Sequence, residues 1–223
     1  MAGLLETLDV SEGLEARRRR HWFDRLMMLS DGVFAIAITF MAVYIGAPDG
    51  WTGGASSLWA HLAWQLDAYA TSFLVISVYW LAHRRFMAMI VTTDPPATIL
   101  TLVVLGLVAL LPSATHLINA YAQYPSARIA YAGLVVSIGL AMALMWGYAS
   151  LAAKLVSAEV GVPVRWFLML LTALTPPLFL LLTLTVPKPS PGAIPAALAV
   201  LFVVGWPLRR LMVRWLGGAP HIG

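Results

Sequence analysis

The sequence predicts an all-α protein of six membrane-crossing helices, and three observations carry that prediction. Of 223 residues, 61% are hydrophobic and 11% charged, far more apolar than a soluble domain of this size. Several apolar runs approach the roughly 20 residues that cross a hydrocarbon core of roughly 30 Å. Threading six spans with both termini inside puts twelve of the fourteen basic residues on the cytoplasmic side. These are Arg17, Arg18, Arg19, Arg20, Arg25, Arg84, Arg85, Lys154, Arg165, Arg209, Arg210 and Arg214, against Arg128 and Lys188 outside. Basic residues hold their loops on the inner side, so this asymmetry favours six spans over five or seven.

Composition also excludes function classes. With no cysteine, disulfides, thiolate metal sites and cysteine nucleophiles are ruled out. His21, His61, His116 and His221 share no metal-ligand spacing, and no HExxH, P-loop or glycine-rich nucleotide motif occurs, so neither metal nor cofactor is expected. No cluster of acid, base and nucleophile suggests an enzyme. A net charge of +4 reads as a topology signal rather than a nucleic-acid surface. The N-terminus lacks an apolar core with a small-residue cleavage site, so a removable signal peptide is not expected.

The elements follow in order. Residues 1–21 form a basic cytoplasmic tail whose Arg17–Arg20 run holds the N-terminus inside and suits anionic lipid. Residues 22–214 form the transmembrane domain, and 215–223 a short cytoplasmic tail. Span one runs from about Arg25 to Ala47, because seventeen uncharged positions separate Asp31 from Asp49 and Pro48-Asp49-Gly50 breaks the helix. An outer loop with Trp51, Trp59 and Trp64 leads to span two, Trp64 to Ala82, which ends in His83-Arg84-Arg85. Asp94-Pro95-Pro96 makes a tight turn before span three, Ala97 to Leu117, with Pro112 near its far end. Span four covers Ser126 to Leu151, and a polar linker from Lys154 to Pro163 precedes span five, Val164 to Val186. Pro176-Pro177 removes backbone hydrogen bonds there and should bend the helix. Span six covers Ala193 to Leu208.

Span one carries the candidate site. An arginine, a serine and an aspartate (Arg25, Ser30, Asp31) at the start of an apolar helix are expensive in lipid and mark a site by default. At 100° per residue, Ile36, Phe40 and Val43 share one stripe, with Leu29 and Gly32 below and Thr39 at its edge. Asp31 falls about 140° from Ile36 and faces elsewhere. The stripe reads as core packing or as a pore face, and Thr39 reads at minimum as a hydroxyl bonding back to its own helix. Arg25, Ser30 and Asp31 are expected to form a structural network with Trp80 and His83 of span two. In that network His83 is a satisfied hydrogen-bonding partner rather than a pH sensor.

The string Arg25-Leu26-Met27-Met28-Leu29-Ser30-Asp31-Gly32-Val33-Phe34-Ala35-Ile36-Ala37-Ile38-Thr39 resembles the signature of the transmembrane protein 175 family of potassium channels. It departs at Leu29, where the family usually has phenylalanine, and at Phe40, where leucine is commoner. Tyr79-Trp80-Leu81-Ala82-His83-Arg84-Arg85 is a second similar segment, and the resemblance extends from about residue 22 to 210. It implies a homotetramer around a central pore in a bacterial plasma membrane, with potassium as the permeant ion. It implies further that Ile36, Phe40 and Val43 form a hydrophobic pore constriction and that Thr39 influences selectivity. No Thr-Val-Gly-Tyr-Gly filter string occurs, so the preference for potassium over sodium is expected to be modest. The alternative is a secondary transporter or proton-coupled cation carrier, which commonly shows paired broken helices and midplane ionisable residues.

Overall fold

The computed structural model describes residues 2–47, 50–121, 123–185 and 193–216. Its helices are α1 (Ala2–Phe40), α2 (Ala55–Met89), α3 (Pro95–Ala109), α4 (Leu111–Tyr121), α5 (Pro125–Gly147), α6 (Val162–Thr185) and α7 (Ala193–Trp215). A 3-10 turn (Met41–Tyr44) extends α1, and a π turn (Tyr148–Ala152) closes α5. The chain is all-helical among the described residues, apart from one antiparallel bridge between Ile90 and Val156. Among the described residues, three stretches are long and apolar enough to cross a membrane: Arg20–Tyr44, Pro95–Tyr121 and Pro125–Ala152.

Several boundaries differ from the sequence reading. The basic tail is helical and continuous with α1, because Ala, Leu, Glu and Arg dominate it and all favour helix. At 1.5 Å per residue, a helix of 39 residues reaches about 58 Å, well beyond a bilayer core. Helix α2 likewise begins nine residues before Trp64 and continues past the His83-Arg84-Arg85 segment. Asp94-Pro95 is a helix start rather than a free turn: Asp94 Oδ1 accepts from Ala97 N at 2.8 Å, with proline at the first helical position. The expected span three is divided at Leu110 into α3 and α4, two residues before Pro112, whose missing N–H cannot continue the ladder. Pro176 and Pro177 both lie within α6, which continues through them.

Helix α5 is the centre of the packing and contacts α2, α3, α4 and α6. Its buried Ile138, Met142, Met145 and Trp146 meet Phe34 of α1, Ile76 and Phe86 of α2, and Val104 and Val108 of α3 in one core. The Phe86 and Trp146 rings stack at 4.6 Å between centroids. Gly139 lets α6 approach closely, since a Cβ there would run into the Pro176 ring and lie 3.1 Å from the Tyr79 hydroxyl. That hydroxyl donates to the Val135 carbonyl at 2.7 Å.

Two polar ties hold the ends. In the first, Thr115 Oγ1 lies 2.8 Å from Ser72 Oγ, and Ser72 Oγ lies 3.0 Å from the Tyr131 hydroxyl, joining α4, α2 and α5 inside the apolar core. In the second, Val91 N donates to Leu155 O at 2.9 Å and Ser157 N donates to Met89 O at 3.0 Å, clipping two loops together. The Tyr148 hydroxyl donates to Asp94 Oδ2 at 2.7 Å beside that clip. Arg165 donates to the carbonyls of Val160 and Ser150, both at 2.7 Å. These carbonyls are satisfied in this way by a side-chain donor.

Filling the α5–α6 approach should destabilise the bundle. Gly139→Leu is expected to cost about 1–3 kcal/mol by overpacking, read as a lower Tm in detergent. Gly133→Ala on the same helix, where a Cβ meets nothing within 4 Å, should leave Tm close to the native value. Equal effects at the two glycines would contradict the close approach.

Candidate pore face of the first helix

Helix α1 has two apolar faces with different fates. Leu26, Ser30, Phe34, Ala37 and Met41, spaced by three or four residues, are buried against the bundle, with Phe34 and Met41 only 1% exposed. On the other side Ile36 is 66% exposed, Phe40 49% and Val43 68%, and Leu29 is exposed below them. The stripe expected at Ile36, Phe40 and Val43 therefore lies outside the core of its own subunit. Gly32 is partly exposed and open, with nothing within 4 Å of a Cβ placed there.

The 3-10 turn keeps the stripe straight at its far end. In an α-helix Val43 would fall about 60° from Phe40, whereas three residues per turn bring it roughly into line above. That turn is held from behind. Met41 is buried with its sulfur 3.4 Å from the Thr115 hydroxyl, so it joins the Ser72–Thr115–Tyr131 tie. Tyr44 stacks on His116 at 4.3 Å between centroids and meets Phe40 edge-on at 6.1 Å. Gly46 N donates to Gln65 Oε1 at 2.9 Å.

Thr39 is exposed, and its hydroxyl donates to the carbonyls of Ala35 at 3.0 Å and Ile36 at 3.1 Å. That is the back-bonding geometry, and it leaves the oxygen lone pairs facing away from the helix axis.

At the other end, the structure joins some of the expected network and not all of it. Trp80 Nε1 donates to Asp31 Oδ1 at 2.9 Å, linking α2 to α1. Ser30 is buried but bonds within its own helix, to Leu26 O at 2.8 Å. Arg25 is exposed, one and a half turns below Asp31, and no hydrogen bond joins it to the others among the described residues. His83 corrects the expectation of a satisfied partner. It is 2% exposed with its ring 5.5 Å from Phe34, and its Nε2 has no hydrogen-bond partner among the described residues. The imidazole packs as a ring beside Phe34 rather than as a polar partner of Asp31.

Sequence reasoning missed two contributors. Arg84 lies with its guanidinium carbon 5.4 Å from the centre of the Trp80 ring, a cation–π contact that the i, i+4 spacing allows. The Ser72–Thr115–Tyr131 tie was also missed, although each member is a hydroxyl in an otherwise apolar span, which is the signal that could have found it. No group of three or more metal-ligating side chains occurs among the described residues.

Comparison with known proteins bears on this geometry directly. A family model described as endosomal/lysosomal potassium channel TMEM175 matches residues 25–112. A potassium channel of Chamaesiphon minutus is 33% identical over 145 residues, covering 60% of this chain and 70% of that one. A potassium channel of Streptomyces collinus is 32% identical over 147 residues, covering 62% and 70%. The human endosomal/lysosomal proton channel TMEM175 is 26% identical over 145 residues, which span 63% of this chain and 27% of the human protein. Among solved structures, the lysosomal potassium-selective channel TMEM175 homolog from Chamaesiphon minutus superposes with a TM-score of 0.60 at 26% identity, covering 83% of this chain and 98% of that one. With its Ser30-Asp31-Gly32 motif on a two-faced first helix, the chain belongs to the TMEM175 channel family.

Proposed function

We propose that this chain is the subunit of a potassium-permeable cation channel in which four copies place α1 around a shared pore. The carrying observation is the exposed stripe of Ile36, Phe40 and Val43 on a helix whose opposite face is fully committed to its own bundle. One such helix per chain cannot enclose a path, whereas closed cyclic symmetry turns each stripe residue into a ring. Rings of Ile36, Phe40 and Val43 make a constriction that admits ions only as they shed water, and Gly32 leaves a wider mouth below. Thr39 tunes selectivity from the edge of the stripe. Each tenfold preference of potassium over sodium corresponds to about 1.4 kcal/mol, so dehydration at apolar rings gives a modest preference.

In this reading six spans cross a bacterial plasma membrane, α3 and α4 together forming one of them. Both termini are cytoplasmic, and the arginines of α1 (Arg17 to Arg20) meet anionic lipid. Residues 22–214 are the channel domain. The channel needs no cofactor. The human relative bears the name of a proton channel, so proton flux belongs in the same assay. Flux in liposomes separates this reading from a carrier: channel rates support it, and fixed ion-to-proton stoichiometry overturns it.

Three outcomes are expected. Ile36→Asn should wet the constriction, raise cation flux and erode the potassium preference, measured as reversal potential in bilayers. Unchanged currents in that variant with a strong effect of Phe40→Asn would move the tightest ring outward by a turn. Ile36→Cys, in a chain with no native cysteine, should cross-link neighbouring subunits under oxidation. Asp31→Ala leaves Trp80 Nε1 without its acceptor, at about 0.5–1.5 kcal/mol for an exposed contact. It should lower Tm and the tetramer fraction more than it changes selectivity. Normal assembly with collapsed selectivity would instead make Asp31 a permeation residue.

A further inference from the structure

Beyond its 3-10 turn, the first helix is tied to α2 through a short hydrogen-bonded chain. Gly46 N donates to Gln65 Oε1 at 2.9 Å, and Gln65 Nε2 lies 2.9 Å from His61 Nε2, one turn earlier on α2. Donor and acceptor chemistry fixes every proton in this chain. A backbone N–H only donates, so the amide oxygen of Gln65 must face Gly46. The amide NH2, which also only donates, must then face the imidazole. His61 Nε2 is therefore the acceptor, and the ring that closes the chain is neutral with its proton on Nδ1. Gly46 is exposed, and His61 and Gln65 are only partly buried, so the chain is open to solvent in the subunit.

We propose that His61 is a proton-binding site that controls the outer rings, with Gln65 as a strap that closes only on the neutral imidazole. The proposal rests on the channel reading above, in which this end of the first helix faces outward. A protonated imidazole donates from both nitrogens, so its Nε2–H would meet the Gln65 NH2. Turning the amide over offers the imidazolium an oxygen but sets the NH2 against Gly46 N–H. One of the two bonds is lost either way. Histidine changes charge between about pH 5 and pH 8, so the strap is closed on the alkaline side of that range and open on the acid side. The effect reaches the stripe because Gly46 follows the 3-10 turn by two residues, and that turn aligns Val43 with Phe40. The Tyr44–His116 stack holds the same turn from α4 and does not need a neutral ring, since an imidazolium is also attracted to an aromatic face. Asp67 shares α2 with His61, and the elements packed on α2 carry Asp31, Tyr44, His116, Arg128 and Tyr131. Asp31 is bonded to Trp80 and Tyr131 to Ser72, and α7 carries Arg209, Arg210 and Arg214 in its C-terminal half. Among the described residues His61 bonds to Gln65 rather than to any of these.

The test reads the strap directly and needs no conduction. Amide protection of residues 42–47 is followed by hydrogen-exchange mass spectrometry on the full chain in detergent, each rate corrected for the intrinsic pH dependence of exchange. Protection in the native protein should fall at least about tenfold, or about 1.4 kcal/mol, from about pH 8 to about pH 5. His61→Gln supplies an uncharged acceptor and should stay protected across the range. Gln65→Glu should invert the response, because a carboxylate accepts from both Gly46 N–H and an imidazolium and holds the charged ring more tightly. A flat native profile, a native profile in His61→Gln, or a loss of protection on acidification in Gln65→Glu would overturn the strap. In bilayers, acid on the outer face should reduce the potassium preference of the native channel and spare that of His61→Gln. An unaffected native preference would overturn control of the rings. Protection that changes as stated in a chain carrying no current supports the strap and counts against the channel, whereas a conducting chain with flat protection counts against the strap alone.

Discussion

The hydrogen bond from Trp80 Nε1 to Asp31 decides which way the first helix faces. An aspartate near the start of an apolar helix has few acceptable positions, because an unpaired carboxylate in low dielectric is costly. Trp80 offers a donor on a large ring that is itself content at an apolar boundary. Once Asp31 points to α2, the helical period settles the rest. Phe34, Ala37 and Met41 turn inward to meet α2, α3 and α4, and Ile36, Phe40 and Val43 turn outward. That polar contact and the buried face specify the same rotation of the helix, and core packing makes it stiff.

The second constraint acts at the opposite end. A long helix fixed only near Asp31 could still splay where it matters most, at Phe40 and Val43. The Thr115 hydroxyl on the Met41 sulfur, the Ser72–Tyr131 pair behind it and the Tyr44–His116 stack prevent this. Each is worth little alone, since membrane hydrogen bonds average well below a few kcal/mol. Their value is geometric: they hold the 3-10 turn whose tighter winding lines Val43 up with Phe40.

What could be read from the sequence was what depends on local period and charge. The stripe of Ile36, Phe40 and Val43 follows from 100° per residue, and so does the separation of Asp31 from it. The pairing of Asp31 with Trp80 was legible because both are polar groups at the same depth of adjacent spans. The helical tail was not, because a run of arginines reports charge and topology while hiding good helix propensity. The break at Leu110 was placed late, since proline acts on the turn before it rather than at its own position. His83 was misjudged for a reason no single-span argument reveals: its ring is enclosed beside Phe34 of the neighbouring helix, where its Nε2 meets no partner among the described residues. The closeness of Gly139 to Pro176 depends wholly on which helices become neighbours.

Helix α1 runs without interruption from Ala2 to Phe40, and the arginines at positions 17–20 and the outward stripe belong to that one element. Continuous helical hydrogen bonds couple the arginine end to Ile36, with the Asp31–Trp80 contact and the buried face between them. The softer 3-10 winding begins only at Met41. Rotation of this shaft by one side-chain spacing would exchange the residues presented outward, and the Asp31–Trp80 contact is the pawl that resists it. Anything that grips the arginines, whether a charged surface or another protein, therefore holds a handle on the orientation of Ile36 from about 24 Å away along the helix axis.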